Sequence, residues 1–224
     1  MKSLFGILLI LFFSTNDGLI SMKEKLQRTP ASNLPFEATS KAPWGKPGFA
    51  VPEKQRQNLP IFTYYDLGLT KRNNYNEDVE IYRKFESEYN DYCIVALKIG
   101  VSDPGKDLLV TYDNEGNILD FLETGVYWGG IERLCVKQWK ITSKREIIIT
   151  WIKIESNTRL QFIDNFTSIK GQRFDMHYSI DSKGIFQKIK EVSFEPQSYT
   201  KTYLESDKNL WEGNESIKEE VSFD

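Results

Sequence analysis

Residues 108–125 read LLVTYDNEGNILDFLETG, and this stretch decides the fold. Leu108, Val110 and Tyr112 alternate with Leu109 and Thr111, the period-two pattern of a strand with two distinct faces. Asp113 is placed to accept backbone N–H groups just ahead of it. Gly116 can supply the positive φ that closes a bulged hairpin. Ile118 to Leu122 then returns as a second strand. The same grammar recurs at Tyr178–Ile185, YSIDSKGI: strand, Asp-x-x-Gly, strand.

Outward from the hairpin the strand signals continue. Residues 92–99, YCIVALKI, form a nearly continuous apolar run, as in a strand covered on both faces. Leu134–Ile141 alternates. Glu146–Glu155, EIIITWIKIE, is the strongest β signal in the chain, and Phe174–Ile180 alternates apolar with polar side chains. Val79, Ile81 and Phe85 suit a strand, with a helical turn as the alternative. Ile61–Tyr65 reads as a short first strand, and Tyr199–Leu204 as a short last one. The spacing predicts an all-β fold, an antiparallel β-sandwich or half-open barrel of about eight to ten strands.

The ends read differently. Lys2, then an apolar run from Leu4 to Phe13, then polar residues, is the order of a signal peptide, assigned here to residues 1–21. The run is shorter than the roughly 20 residues needed to span a bilayer. It is not followed closely by a cysteine, so a bacterial lipoprotein anchor is not expected. The expected compartment is the periplasm or the exterior, with no transmembrane span after cleavage. Residues 22–60 hold six of the eight prolines and read as an extended Pro-rich linker. The β-domain is assigned to residues 61–204, and residues 205–224 to an acidic tail.

A net charge of −3 argues against a nucleic-acid binder, which usually carries a basic face. With one histidine, His177, a histidine-rich zinc site is not possible within one chain. Asp175, His177 and Ser179 share a strand face and invite a triad reading. Residues two apart along a strand stand about 7 Å apart, however, too far for triad hydrogen bonds. The Asp113–Gly116 turn lacks the glycine and glutamate positions of an EF-hand. No nucleotide-binding glycine motif is present, and no cofactor is expected. Cys93 and Cys135 form a disulfide if their strands are neighbours, and buried thiols otherwise. Tyr127 and Trp128, between Gly125 and the Gly129-Gly130 pair, read as a loop whose aromatics are the candidate ligand-binding residues. Asp120, Glu123 and Glu132 lie near Trp128 in sequence and are the candidate carboxylates for a hydrolase.

Two resemblances attach to these residues. Tyr112–Gly125, YDNEGNILDFLETG, resembles one unit of the YD repeats of large bacterial surface and toxin-shell proteins, which are built from many tandem copies. The signal, the linker and this hairpin together resemble the uncharacterised exported all-β proteins of Gram-negative bacteria. That resemblance implies fold and compartment only. The expected function is an exported, non-catalytic binding or interaction module at the cell envelope. A glycan, a cell-wall fragment or a protein partner would be its ligand. The alternatives are a carboxylate-dependent glycan hydrolase and a structural or inhibitory partner domain.

Overall fold

The computed structural model describes residues 20–38, 79–99, 105–128, 134–154, 166–205 and 208–223. Eleven strands and two short α-helices occur among them: α1 (Met22–Arg28), β1 (Phe36–Ala38), β2 (Val79–Glu86), β3 (Tyr92–Ile99), β4 (Gly105–Asp113), β5 (Ile118–Trp128), β6 (Leu134–Ile141), β7 (Ile147–Ile154), β8 (Ser168–Ile180), β9 (Phe186–Phe194), β10 (Gln197–Thr200), α2 (Lys201–Glu205) and β11 (Ile217–Ser222). All strand pairs are antiparallel. From β2 to β9 they form an uninterrupted meander, with β11 added beyond β9, β10 beside β8 and β1 beside β6. The fold is the expected all-β sandwich.

The strands make two layers, β2–β5 and β6–β9, joined through a short β5–β6 ladder at residues 126–128 and 134–137. Side-chain alternation sorts the apolar residues into three clusters. Between the layers lie Phe85, Tyr92, Ile94, Ala96 and Leu109 from one layer and Trp139, Ile141, Ile147 and Ile149 from the other. The outer face of the first layer carries Val79, Ile81, Val95, Leu97, Leu108, Val110 and Tyr112. The outer face of the second carries Ile152, with Tyr199, Leu204 and Leu210. A bulge in β2 between Ile81 and Arg83 lets one strand serve two clusters, Val79 and Ile81 outward and Phe85 inward.

Both outer faces are covered by segments that the sequence pattern assigned to linker and tail. Residues 22–28 are helical. The Ser21 hydroxyl caps the helix by accepting from Glu24 N (3.2 Å), and Glu24 pairs with Arg28 one turn on. Met22, Lys25 and Leu26, at helical spacing, are buried, and Met22 and Leu26 complete the first outer cluster. The chain then runs along the β2 edge, where Ser32 N donates to Lys84 O (2.7 Å), and adds β1 to β6. At the other end, Leu210–Glu212 forms a 3₁₀ turn over the second layer, and residues 217–222 pair with β9. The physical reason is coverage. A β-layer with apolar residues on both faces needs cover on its outer side. Residues 39–60 and the expected strand at 61–65 lie outside the described residues, as do residues 1–19 of the expected signal. No helix among the described residues is long and apolar enough to cross a membrane.

Candidate functional site

Three hairpin turns at one end of the sandwich share one hydrogen-bond pattern. In the first, Asp113 N donates to Asn117 O, Gly116 N donates to Asp113 O, and the Asp113 carboxylate accepts from Glu115 N and Asn117 N (2.9 and 2.7 Å). The second repeats it: Asp181 N to Ile185 O, Gly184 N to Asp181 O, and the Asp181 carboxylate accepting from Lys183 N and Ile185 N (both 2.9 Å). The third is the connection of β6 to β7. There Thr142 N donates to Glu146 O, Arg145 N donates to Thr142 O, and the Thr142 hydroxyl accepts from Glu146 N (3.2 Å). Thr142 thus replaces the aspartate and Arg145 the glycine. Gly116 and Gly184 have φ of 81° and 82°; Arg145 adopts φ of 63° without being glycine.

The third turn borders a cavity of about 360 Å³ between the layers. Tyr92, Ile94, Ile180 and Ile189 give it an apolar floor, and Ser87, Glu88, Lys144, Arg145, Glu146 and Ser179 a polar rim. These residues come from the β2–β3 connection and the start of β3, the β6–β7 turn, the end of β8, and β9. The second turn is tied to the first layer beside them. Tyr92 Oη donates to Asp181 O (3.1 Å), Thr111 Oγ1 donates to Gly184 O (2.6 Å), and Phe186 N donates to the Asp120 carboxylate (2.9 Å). Arg145 Nη1 donates to Glu86 O, joining the two layers at the cavity's edge. Glu146 Oε1 lies 2.6 Å from His177 Nδ1. Burial raises the pKa of Tyr92, so its phenol stays protonated at neutral pH.

The residues singled out from the sequence are dispersed. Tyr127 and Trp128 do not sit in a loop. They are the last residues of β5, Tyr127 opposite Gly105 and Cys135, Trp128 opposite Leu134. The correction has a simple cause: β4 and β6 flank that end of β5, so its backbone has ladder partners on both sides. They also lie at the end of the strands away from the three turns and the cavity. Cys93 is a free thiol. Its strand β3 is separated from β6, which carries Cys135, by β4 and β5. Cys93 packs with Tyr112 on the outer face of the first layer, turned away from the layer that holds β6, and so is not placed for a disulfide to Cys135. Burial pushes the Cys93 thiol up to about 11, which leaves it protonated and unreactive at neutral pH.

Asp175, His177 and Ser179 make no triad. The Asp175 carboxylate is held by Arg173 (2.6 and 3.0 Å), and His177 is paired with Glu146. Among the carboxylates considered for hydrolysis, Asp120 accepts from Phe121 N and Phe186 N, and Glu123 pairs with Lys137 (3.1 Å). Glu132 lies outside the described residues. Among the described residues no group of three or more His, Cys, Asp and Glu side chains could hold a metal ion.

A second polar cluster, unmarked by any sequence motif, is structural. Arg173 is buried on β8 and bonds Asp175, Glu215 (3.1 Å) and the carbonyls of Trp211 and Gly213. Burial alone would lower the Arg173 pKa; the two carboxylates outweigh it and raise it. Glu215 also accepts from Tyr199 and Gln197 (both 3.0 Å). Gln138 accepts from Leu210 N (2.8 Å). The C-terminal segment is latched over the second layer by these bonds.

Comparison with known protein families, with curated proteins and with solved structures found no match to this chain.

Proposed function

We propose that the chain is an exported, non-catalytic β-domain that binds a ligand at the cell envelope, and that the ligand enters the cavity at the turn end. The observation that carries this reading is the cavity itself. It has the size of a small-molecule site, an apolar floor and a rim of convergent polar groups. Of the groups considered for nucleophilic or two-carboxylate chemistry, Asp175, His177, Asp120 and Glu123 are held by structural partners, which favours binding over catalysis. Export rests on the signal-like start of the chain.

The test is thermal. A panel of glycans and peptidoglycan fragments is added to the protein, and one member should raise Tm. A ligand at a hundred times its Kd stabilises by about 2.7 kcal/mol. The rise should vanish in Ser179→Trp, which fills the cavity from its rim. No rise across the panel, or a rise that survives the substitution, overturns the assignment. Export is tested separately by cell fractionation with and without residues 1–21.

One observation favours a second reading, a protein-partner domain. The outermost strand, β11, is exposed along its length and presents Ile217 and Val221 to solvent, with Phe223 just beyond it. Exposed apolar residues on a sheet edge suit strand addition by a partner. That reading expects a stable complex abolished by Ile217→Lys with Val221→Lys.

A further inference from the structure

We infer that the ligand of the turn-end cavity is a short peptide held by its free C-terminal carboxylate, with Arg145 and Lys144 as the anion-binding groups. The inference rests on reading the cavity as the binding site, and adds the chemistry of what fills it.

The first support is the comparison of the three turns. They make the same backbone bonds, and the position that takes positive φ is glycine in two of them. At both Gly116 and Gly184 the positive φ favours glycine, and at Gly116 a Cβ would also lie 2.6 Å from the backbone Lys23 N. Arg145 keeps the same backbone state with a long charged side chain. A non-glycine residue in the left-handed region costs on the order of 1 kcal/mol or more. The turn that bears this cost is the one on the cavity wall.

The second support is the charge on the rim. Among the described residues neither Arg145 nor Lys144 pairs with a carboxylate. Glu146 is turned to His177 instead. The Nη1 bond to Glu86 O holds the guanidinium in place without neutralising it. A carboxylate meets a guanidinium through two parallel hydrogen bonds, the strongest neutralising contact available to it. Glu88, also on the rim and also without a cation among the described residues, suits the opposite end of a dipolar ligand. The floor of Ile94, Ile180 and Ile189 suits an aliphatic side chain. A neutral sugar would use neither sign of charge on the rim. A di- or tripeptide answers each of them.

The experiment is calorimetric titration of the full chain with alanyl-alanyl-leucine, its C-terminal amide, glucuronic acid and a neutral disaccharide. The free peptide should bind and the amide should bind at least tenfold more weakly. Arg145→Gly should weaken the peptide at least tenfold while changing Tm little, since relief of the left-handed strain offsets the lost bond to Glu86 O. Lys144→Ala, an exposed position, should weaken it with Tm unchanged. Equal affinity for peptide and amide overturns the inference, as does wild-type affinity in Arg145→Gly. Glucuronic acid or the disaccharide binding, sensitive to Ser179→Trp, without peptide binding would also overturn it but leave the cavity reading standing. If the cell-envelope panel fails with these probes, both fall.

Discussion

Gly116 does two jobs at one position. Its φ of 81° closes the hairpin, and its missing Cβ leaves room for the backbone of Lys23 at the start of α1. Gly116→Ala should therefore cost more than turn strain alone, about 2 kcal/mol or more, because the helix must shift as well. Thermal melting checks this; a loss under about 0.5 kcal/mol would mean that α1 yields easily. Tyr112 gives the opposite expectation. Its ring is fully buried in the outer cluster and its hydroxyl has no hydrogen-bond partner among the described residues. Tyr112→Phe removes an unpaid desolvation cost and should stabilise the fold by about 1 kcal/mol. Asp181 has a pH signature. Backbone N–H bonds from Ile185 and Lys183 hold its carboxyl below the usual range. At Asp113 burial pushes the pKa up, but bonds from Asn117, Glu115 and Gly116 prevail and lower it. A carboxyl lowered on folding contributes stability that is present above its unfolded pKa of about 3.9 and is lost as pH falls through the folded value. Asp181→Asn should flatten the acid limb of the stability profile below about pH 4 and leave its neutral slope unchanged. Urea midpoints from pH 2 to pH 7 decide it.

At the scale of elements, the latch is the clearest case. Arg173, Asp175 and Glu215 form a buried ionic cluster whose members come from β8 and the C-terminal segment. Removing one partner from such a cluster leaves buried charge uncompensated, at a cost of about 3–5 kcal/mol. Arg173→Leu should lower Tm sharply and raise amide exchange across residues 208–223, with Asp175→Asn and Glu215→Gln added together restoring part of the loss. Uniform exchange across the domain would contradict a local latch. The elements also show what sequence can carry. The strands on either side of Asp113–Gly116 and Asp181–Gly184 were legible because local alternation and turn chemistry agree there. Helix α1 was not. Seven residues, MKEKLQR, offer one helical turn of buried positions inside a proline-rich stretch, and burial of Lys25 runs against its polarity. Strand β11 has no alternation to read, since it is held by backbone pairing and is exposed on both faces. Tyr127 and Trp128 were misplaced because flanking glycines outweighed a pairing that depends on two other strands. The cavity was invisible because it joins residues 87–94, 144–146 and 179–189. Its one local trace is the third turn, Thr142-Ser143-Lys144-Arg145, which lacks the glycine that would have marked it.

For the whole molecule, the decisive feature is the stacking of three apolar clusters on two β-layers. Only the middle cluster is enclosed by the layers themselves. Met22 and Leu26 close the first outer cluster, and Leu204 and Leu210 close the third. Each fully buried apolar side chain contributes about 1.5–3 kcal/mol. A domain's net stability is about 5–15 kcal/mol, so losing Met22 and Leu26 from one face and Leu210 from the other removes much of it. Residues 61–204 are the fragment that strand signals alone would delimit. It discards α1, β1, Leu210, Glu215 and β11, leaving Gln138 without its bond from Leu210 N and Arg173 with only one of its two carboxylates. This fragment should bind a hydrophobic dye and melt without a cooperative transition, while residues 20–223 should give one sharp transition with matching calorimetric and van't Hoff enthalpies. If residues 61–204 melted at the same temperature as the longer chain, the outer clusters would be ornament on a self-sufficient sandwich. The latch and the helix would then have to be explained by what they bind rather than by what they cover.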